Sequence, residues 1–129
     1  MNPDLDSLGS AEYVLLTTFR KDGTAVGTAV WVARGGSELL VWTVSDSWKV
    51  KRIRRNPEVL VAPCDMRGRI KGDPAEGTAR VLDAEATEQA RAAIAKKYGI
   101  IGRLAMAASK WRRGRNGTVG LAIALRAGA

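Results

Sequence analysis

Residues 39–59 read LLVWTVSDSWKVKRIRRNPEV, and the changes of pattern inside this stretch decide the architecture. Apolar and β-branched residues up to Val44 predict a strand that starts at Ser37. Ser45-Asp46-Ser47 follows, carrying the side-chain oxygens that satisfy free N–H groups at a helix start. Trp48 to Asn56 then reads as a helix. It stops at Asn56-Pro57, because the residue before a proline is pushed out of the helical region. Glu58 to Ala62 returns to strand, and Pro63 marks its end as an edge or bulge.

Upstream, Tyr13 to Arg20 predicts the first strand, and Lys21-Asp22-Gly23-Thr24 a tight turn in which Asp-Gly supplies the positive φ. Ala25 to Arg34 predicts the second strand. Val26, Thr28, Val30 and Val32 fall on one of its faces, and Ala25, Gly27, Ala29, Trp31 and Ala33 on the other. Small residues on that second face leave two readings open, close sheet packing or a bulky neighbour. Gly35-Gly36 turns the chain into Ser37–Val44. Downstream, Ala75 to Leu82 is a fifth strand. Asp83 opens a helix with Glu85 and Glu88 early and Lys96-Lys97 late, matching the helix dipole at both ends, and Gly99 is placed to cap it. A second helix carries Ile101, Leu104, Ala105, Ala108 and Trp111 at helical spacing. The loop 112–117 leads to a last strand, Thr118 to Arg126. Six strands with a helical insert at about 84–111 make one β-rich domain over residues 1–129.

The 129 residues suit a single core, and no apolar run approaches the length that spans a bilayer. Twenty-one basic against 13 acidic side chains leave a net charge of +8. There is no histidine, which excludes a Ser–His–Asp or Cys–His centre and histidine metal ligands within these residues. The single cysteine, Cys64, excludes an intrachain disulfide or a CxxC pair and fits a reducing cytosol. The acidic start MNPDLDSLGSAEY lacks a secretory pattern, so the expected location is cytoplasmic.

Chemistry concentrates at residues 49–55, where Lys49, Lys51, Arg52, Arg54 and Arg55 surround a narrow apolar stripe of Val50 and Ile53. Such a run often marks only a solvated face. Here it follows Thr43, Ser45 and Ser47 at a helix start, where backbone N–H groups, hydroxyls and lysines converge into a phosphate-type anion site. Further basic groups lie at Arg67, Arg69 and Lys71, and at Arg103, Lys110, Arg112, Arg113 and Arg115. Aromatic residues are 5% of the chain and no base-stacking or helix-turn-helix signature is visible, which argues against nucleic acid. The basic helix is too short and narrow for membrane binding. Asp22, Asp46, Asp65, Asp73, Glu76 and Asp83 sit at predicted turns or caps, so a paired-carboxylate mechanism has little support.

The segments YVLLTTFRKDGTAVGTAVWV, LLVWTVSDSWKVKRIRRNPEV and EGTARVL, taken together, resemble the flavin/deazaflavin split-barrel superfamily whose founding member is pyridoxamine 5′-phosphate oxidase. The T-T-x-x-x-D-G hairpin and the K-x-x-x-I-x-x-N-P helix carry the likeness, which covers Tyr13 to Arg126. The closer likeness is to the actinobacterial coenzyme F-420-dependent oxidoreductases of that class. The resemblance implies a mainly β, six-stranded Greek-key split barrel that forms a homodimer with cofactor sites at the interface. By position, Lys49 would grip the cofactor phosphate, with Lys51 and Arg55 supporting the phosphate or an acidic tail. Thr43, Ser45 and Ser47 would line the phosphoryl and ribityl groups. Thr28, Ala29 and Val30, with the backbone of Val41, Trp42 and Thr43, would form the floor under the ring.

The implied activity is hydride transfer from reduced F-420 to an unsaturated small-molecule acceptor. The +8 charge favours F-420, with its acidic tail, over flavin mononucleotide (FMN). Beside that oxidase the sequence is short and lacks its C-terminal substrate-binding residues, so pyridoxal phosphate synthesis is not expected. An FMN-dependent enzyme of the same fold, a non-catalytic cofactor carrier and a nucleic-acid binder remain the alternatives.

Overall fold

The Asp-Gly turn forms as expected: Gly23 has φ 89°, and the Asp22 carboxylate accepts from the Thr24 N–H at 2.9 Å. Around it, a computed structural model describes residues 4–113 and 117–126, with side chains placed up to residue 99 and again from 117. The order is α1 (Leu5–Ser10), β1 (Tyr13–Phe19), β2 (Ala25–Val30), β3 (Ala33–Gly35), β4 (Glu38–Val44), α2 (Trp48–Arg55), β5 (Glu58–Cys64), β6 (Ala75–Val81), α3 (Ala84–Arg113) and β7 (Thr118–Leu125). The strands form one antiparallel sheet in the order β2-β1-β5-β6-β7-β4-β3.

That order has a geometric consequence. β2 and β3 are opposite edges of the sheet, yet only Trp31 and Val32 separate them in the chain. Seven flat strands would hold the edges about 29 Å apart, whereas the Val30-to-Ala33 link reaches about 11 Å at most. The sheet must therefore curl until its edges nearly meet, with β2 and β3 left unpaired to each other: a barrel with a split.

Six strands were expected and seven are present, because Ala25–Arg34 is two strands rather than one. Trp31-Val32 carries the chain across the split, where neither residue belongs to a strand. Period-2 patterning cannot reveal such a crossing, since the alternation continues through it. Pro63 lies inside β5, which runs to Cys64. Its carbonyl accepts from Lys71 N–H at 2.8 Å on the side where β6 has already ended, so its missing N–H interrupts no ladder with β6.

The barrel interior holds Val14, Leu16, Leu39, Val41, Val59, Val61, Leu121 and Ile123, all at most 2% exposed. α2 closes one end by inserting Val50 and Ile53 into this core, and α1 inserts Leu8 from the other. Outside, the first half of α3 covers β4 and β7. Ile94 packs with Trp31, Trp42 and Tyr98, and Ala90 with Leu82 and Ala122. Gly120 permits this approach, because a Cβ there would meet the Ala90 methyl at 3.0 Å. α3 breaks at Gly99, whose φ 67° and ψ −146° are open essentially to glycine alone. Two helical pieces meeting at Gly99 agree with the expectation. The side chains of the second piece, including Ile101, Leu104, Trp111 and the basic group 103–115, lie outside the described residues. The outer face of β1 and β2 stays largely open, with Ala25 and Gly27 exposed and Leu15, Thr17 and Phe19 half-buried.

Candidate functional site

α2 crosses the barrel end with two sides sealed and one free. Its apolar stripe is fully buried, Val50 at 0% and Ile53 at 2% exposure. At 3.6 residues per turn, Trp48, Lys51, Arg52 and Arg55 then share the outward face. With Arg20 from the end of β1 they line a cleft of about 370 Å³. Arg55 is held by a 2.8 Å hydrogen bond from Nη2 to the Phe19 carbonyl, and Arg52 reaches the buried Thr18 hydroxyl at 3.4 Å. Lys51 Nζ sits 4.5 Å from the Trp48 ring centroid, a cation–π contact. Among the described residues none of these four cations is salt-bridged.

Ser47 is the N-cap residue of α2, but its side chain makes no capping bond. Its Oγ is buried without a hydrogen-bond partner, one of two such side-chain atoms among the described residues. A buried, unpaired hydroxyl is costly and calls for an explanation. Lys49, two residues on, is half-buried, and burial followed by the neighbouring Arg52 charge lowers its pKa below the ordinary lysine value of 10.5. An anion accepting from Ser47 Oγ and facing Lys49 would relieve both penalties. Ser47 and Lys49 are thus donors of the kind that suit an oxyanion.

The expected site residues are only partly brought together. Ser45, Ser47 and Lys49 lie at the start of α2, and Lys51 and Arg55 on its outward face. Lys49 and Lys51 stand about 200° apart around the helix, and Lys49 does not line the 370 Å³ cleft. The three cations therefore serve two faces. Thr43 points into the barrel interior, 9% exposed. Trp42 points outward beneath α3, its Nε1 buried and unpartnered. Thr28, Ala29 and Val30 pair with Leu16, Leu15 and Val14 on β1, and Ala29 lies about 13 Å along the strand from the Phe19 end that meets α2. Gly27 is small because the Leu15 side chain lies over it, where a Cβ would meet it at 3.0 Å. Arg20 and Trp48 were not anticipated, although the i, i+3, i+4, i+7 spacing of 48, 51, 52 and 55 carries the signal for Trp48.

Four of the six candidate carboxylates, Asp22, Asp65, Glu76 and Asp83, hold structural contacts. Asp65 accepts from the Arg67 and Arg69 N–H groups, Asp83 caps Ala86, and Glu76 pairs with Arg126 at 3.0 Å. Among the described residues there is no group of metal-ligating side chains, and no helix is long and apolar enough to cross a membrane. Cys64 is 4% exposed and burial pushes its thiol pKa up, as for a structural thiol.

A conserved hypothetical protein of Mycobacterium tuberculosis is 24% identical, with a TM-score of 0.70 over 95% of this chain and 78% of that one. An F420 reductase is 20% identical, with a TM-score of 0.61 over 95% and 93% of the two chains. The haem storage protein HutZ of Vibrio cholerae is 13% identical, with a TM-score of 0.66 over 91% and 83%. No curated protein matches. At these identities the structures establish the fold alone. The family model for pyridoxamine 5′-phosphate oxidase matches residues 5–121, a span that takes in the hairpin, the crossing at Trp31-Val32 and all of α2. The chain belongs to the pyridoxamine 5′-phosphate oxidase family.

Proposed function

We propose that this chain is a coenzyme F-420-dependent oxidoreductase that reduces an unsaturated organic acceptor, working as a homodimer. One observation carries the reading: the buried, partnerless Ser47 Oγ beside half-buried Lys49 at the start of α2. These two residues would hold the cofactor phosphate, with Ser45 at the same turn and Lys51 and Arg55 adding positive potential. When bound, the deazaflavin supplies the hydride. The chain's own residues bind, orient and shield it, and none need act as a nucleophile. The open β1–β2 face, where Ala29 lies beside Leu15, is the surface for the ring and for a second copy of the chain. Burying it in a dimer would remove half-exposed apolar side chains from water. A haem reading, which the name of HutZ suggests, finds no imidazole in the 129 residues and a thiol that is buried.

Titrating the protein with oxidised F-420 and FMN side by side, at one ionic strength, tests the proposal. F-420 should bind in the micromolar range and more tightly than FMN. Tighter binding of FMN would transfer the reading to a flavin enzyme, and binding of neither would end it.

A further inference from the structure

The split leaves backbone groups that the sheet itself cannot satisfy. β2 and β3 do not pair with each other, so the crossing between them has no ladder partner, yet Val32 is 0% exposed. A buried peptide group without a partner is costly. Lys97 and Tyr98, at the end of the first piece of α3, supply the partners. The Tyr98 hydroxyl accepts from the Val32 N–H at 3.1 Å and donates to the Glu12 carbonyl at 2.6 Å. The Lys97 ammonium donates to the carbonyls of Gly9 and Val32 at 2.7 Å and of Ala11 at 2.6 Å, which uses all three of its protons. Gly9 and Ala11 lie at the C-terminal end of α1, where carbonyls lack partners within the helix and favour a cation. The Tyr98 ring stacks on Trp31, with centroids 4.4 Å apart and planes 10° from parallel. Matching the dipole of α3 explains neither the convergence of three carbonyls on Lys97 nor the stack.

We propose that Lys97 and Tyr98 are positioning residues: they clasp the Trp31-Val32 crossing and so fix the end of β2 that carries Thr28, Ala29 and Val30. The inference rests on the F-420 reading in so far as those three residues form the floor under the ring. The coupling is short, since Val30 is two residues from Val32 and β2 is an edge strand held by β1 on one side only. The clasp reaches the opposite edge as well. Gly9 lets α1 lie on β3, where a Cβ would meet the Arg34 Cβ at 3.0 Å, so the Lys97 bond to Gly9 ties the β3 side of the split to the β2 side. One lysine thereby sets the width of the split beside the ring floor, while Ser47 and Lys49 lie with α2 at the other end of the barrel.

Hydrogen exchange on the ligand-free protein tests the clasp in two variants, Tyr98→Phe, which keeps the stack on Trp31, and Lys97→Met, which keeps the apolar stem. In both, the Val32 amide and the ladder amides of β2 should exchange at least about tenfold faster, with β5 and β6 unchanged. Unchanged exchange across residues 28–32 would overturn the proposal. Binding then separates positioning from packing. F-420 should bind Tyr98→Phe about tenfold more weakly than the wild-type protein, whereas inorganic phosphate, followed by phosphorus NMR, should bind both alike. Equal weakening of the two ligands would mean a general loss of structure and would overturn the positioning role, as would undiminished F-420 binding. If the wild-type protein binds no F-420, the cofactor reading falls alone, because the exchange rates still decide whether the clasp holds β2.

Discussion

Two basic segments of this molecule look alike as sequence and differ in structure. Residues 49–55 carry five cations, and the loop after β5 carries Arg67, Arg69 and Lys71 within five residues. In the loop a carboxylate organises the charge. Asp65 accepts from the Arg67 N–H at 2.8 Å and the Arg69 N–H at 3.0 Å, and Gly68 turns the chain at φ 85°. The Arg69 hydrogen bond, joined by the weaker Arg67 one, overcomes desolvation and holds Asp65 below the ordinary carboxylate value. On α2 no carboxylate plays that part, one hydroxyl has no partner, and one lysine is half-buried. A cationic segment built around its own acid is a structural loop, whereas one left without an acid on a fixed helix is poised for an anion from outside.

The largest effect should come from the platform under the α2 cations. Ile53→Ala empties a site that is 98% buried on the core side of the helix and should cost about 2–5 kcal/mol of stability, read as a lower urea midpoint at unchanged slope. The loop at 65–71 should keep its amide protection in the folded fraction, because it packs at the other end of the barrel. Parallel loss at both segments would contradict their independence.

A middle-sized effect should appear in alkaline solution. Burial favours the neutral form of Lys49, so its folded pKa lies below 10.5. Between that lowered value and 10.5 the unfolded chain binds more protons, so the ligand-free protein gains stability from this group as pH rises through that window. Phosphate-type affinity should move the opposite way and decline through the same window, before ordinary lysines lose their protons. An affinity flat up to pH 10.5 would remove Lys49 from the site.

The smallest effect belongs to the loop. Asp65 titrates below the ordinary 3.8 when folded, so its contribution is present above that value and is lost as pH falls through the folded pKa. Hydrogen exchange should show the Arg67 and Arg69 amides losing protection in acid, and Asp65→Asn should weaken that protection at neutral pH without altering cofactor binding. Unchanged protection in both cases would mean that the carboxylate does not organise the loop.

Much of this was readable in the sequence, for reasons that particular residues make plain. The turn at Asp22-Gly23, the helix stop at Asn56-Pro57 and the break at Gly99 follow from local backbone sterics. Val50 and Ile53 were legible as the buried stripe because their spacing is helical. The crossing at Trp31-Val32 was not, since it depends on which strands become neighbours, a long-range outcome that no local pattern encodes. The divergence of Thr43 and Trp42, one into the barrel and one beneath α3, follows from strand alternation but could not be assigned a side before the sheet was known.

The proposed F-420 site depends most directly on Lys49 at the start of α2, and equilibrium binding of oxidised F-420 to the Lys49→Ala protein tests it. Loss of a charge-assisted contact of about 1.5–3 kcal/mol should weaken binding by about 10- to 150-fold, with the unfolding midpoint preserved. Binding indistinguishable from that of the unaltered chain would contradict the assignment of this site.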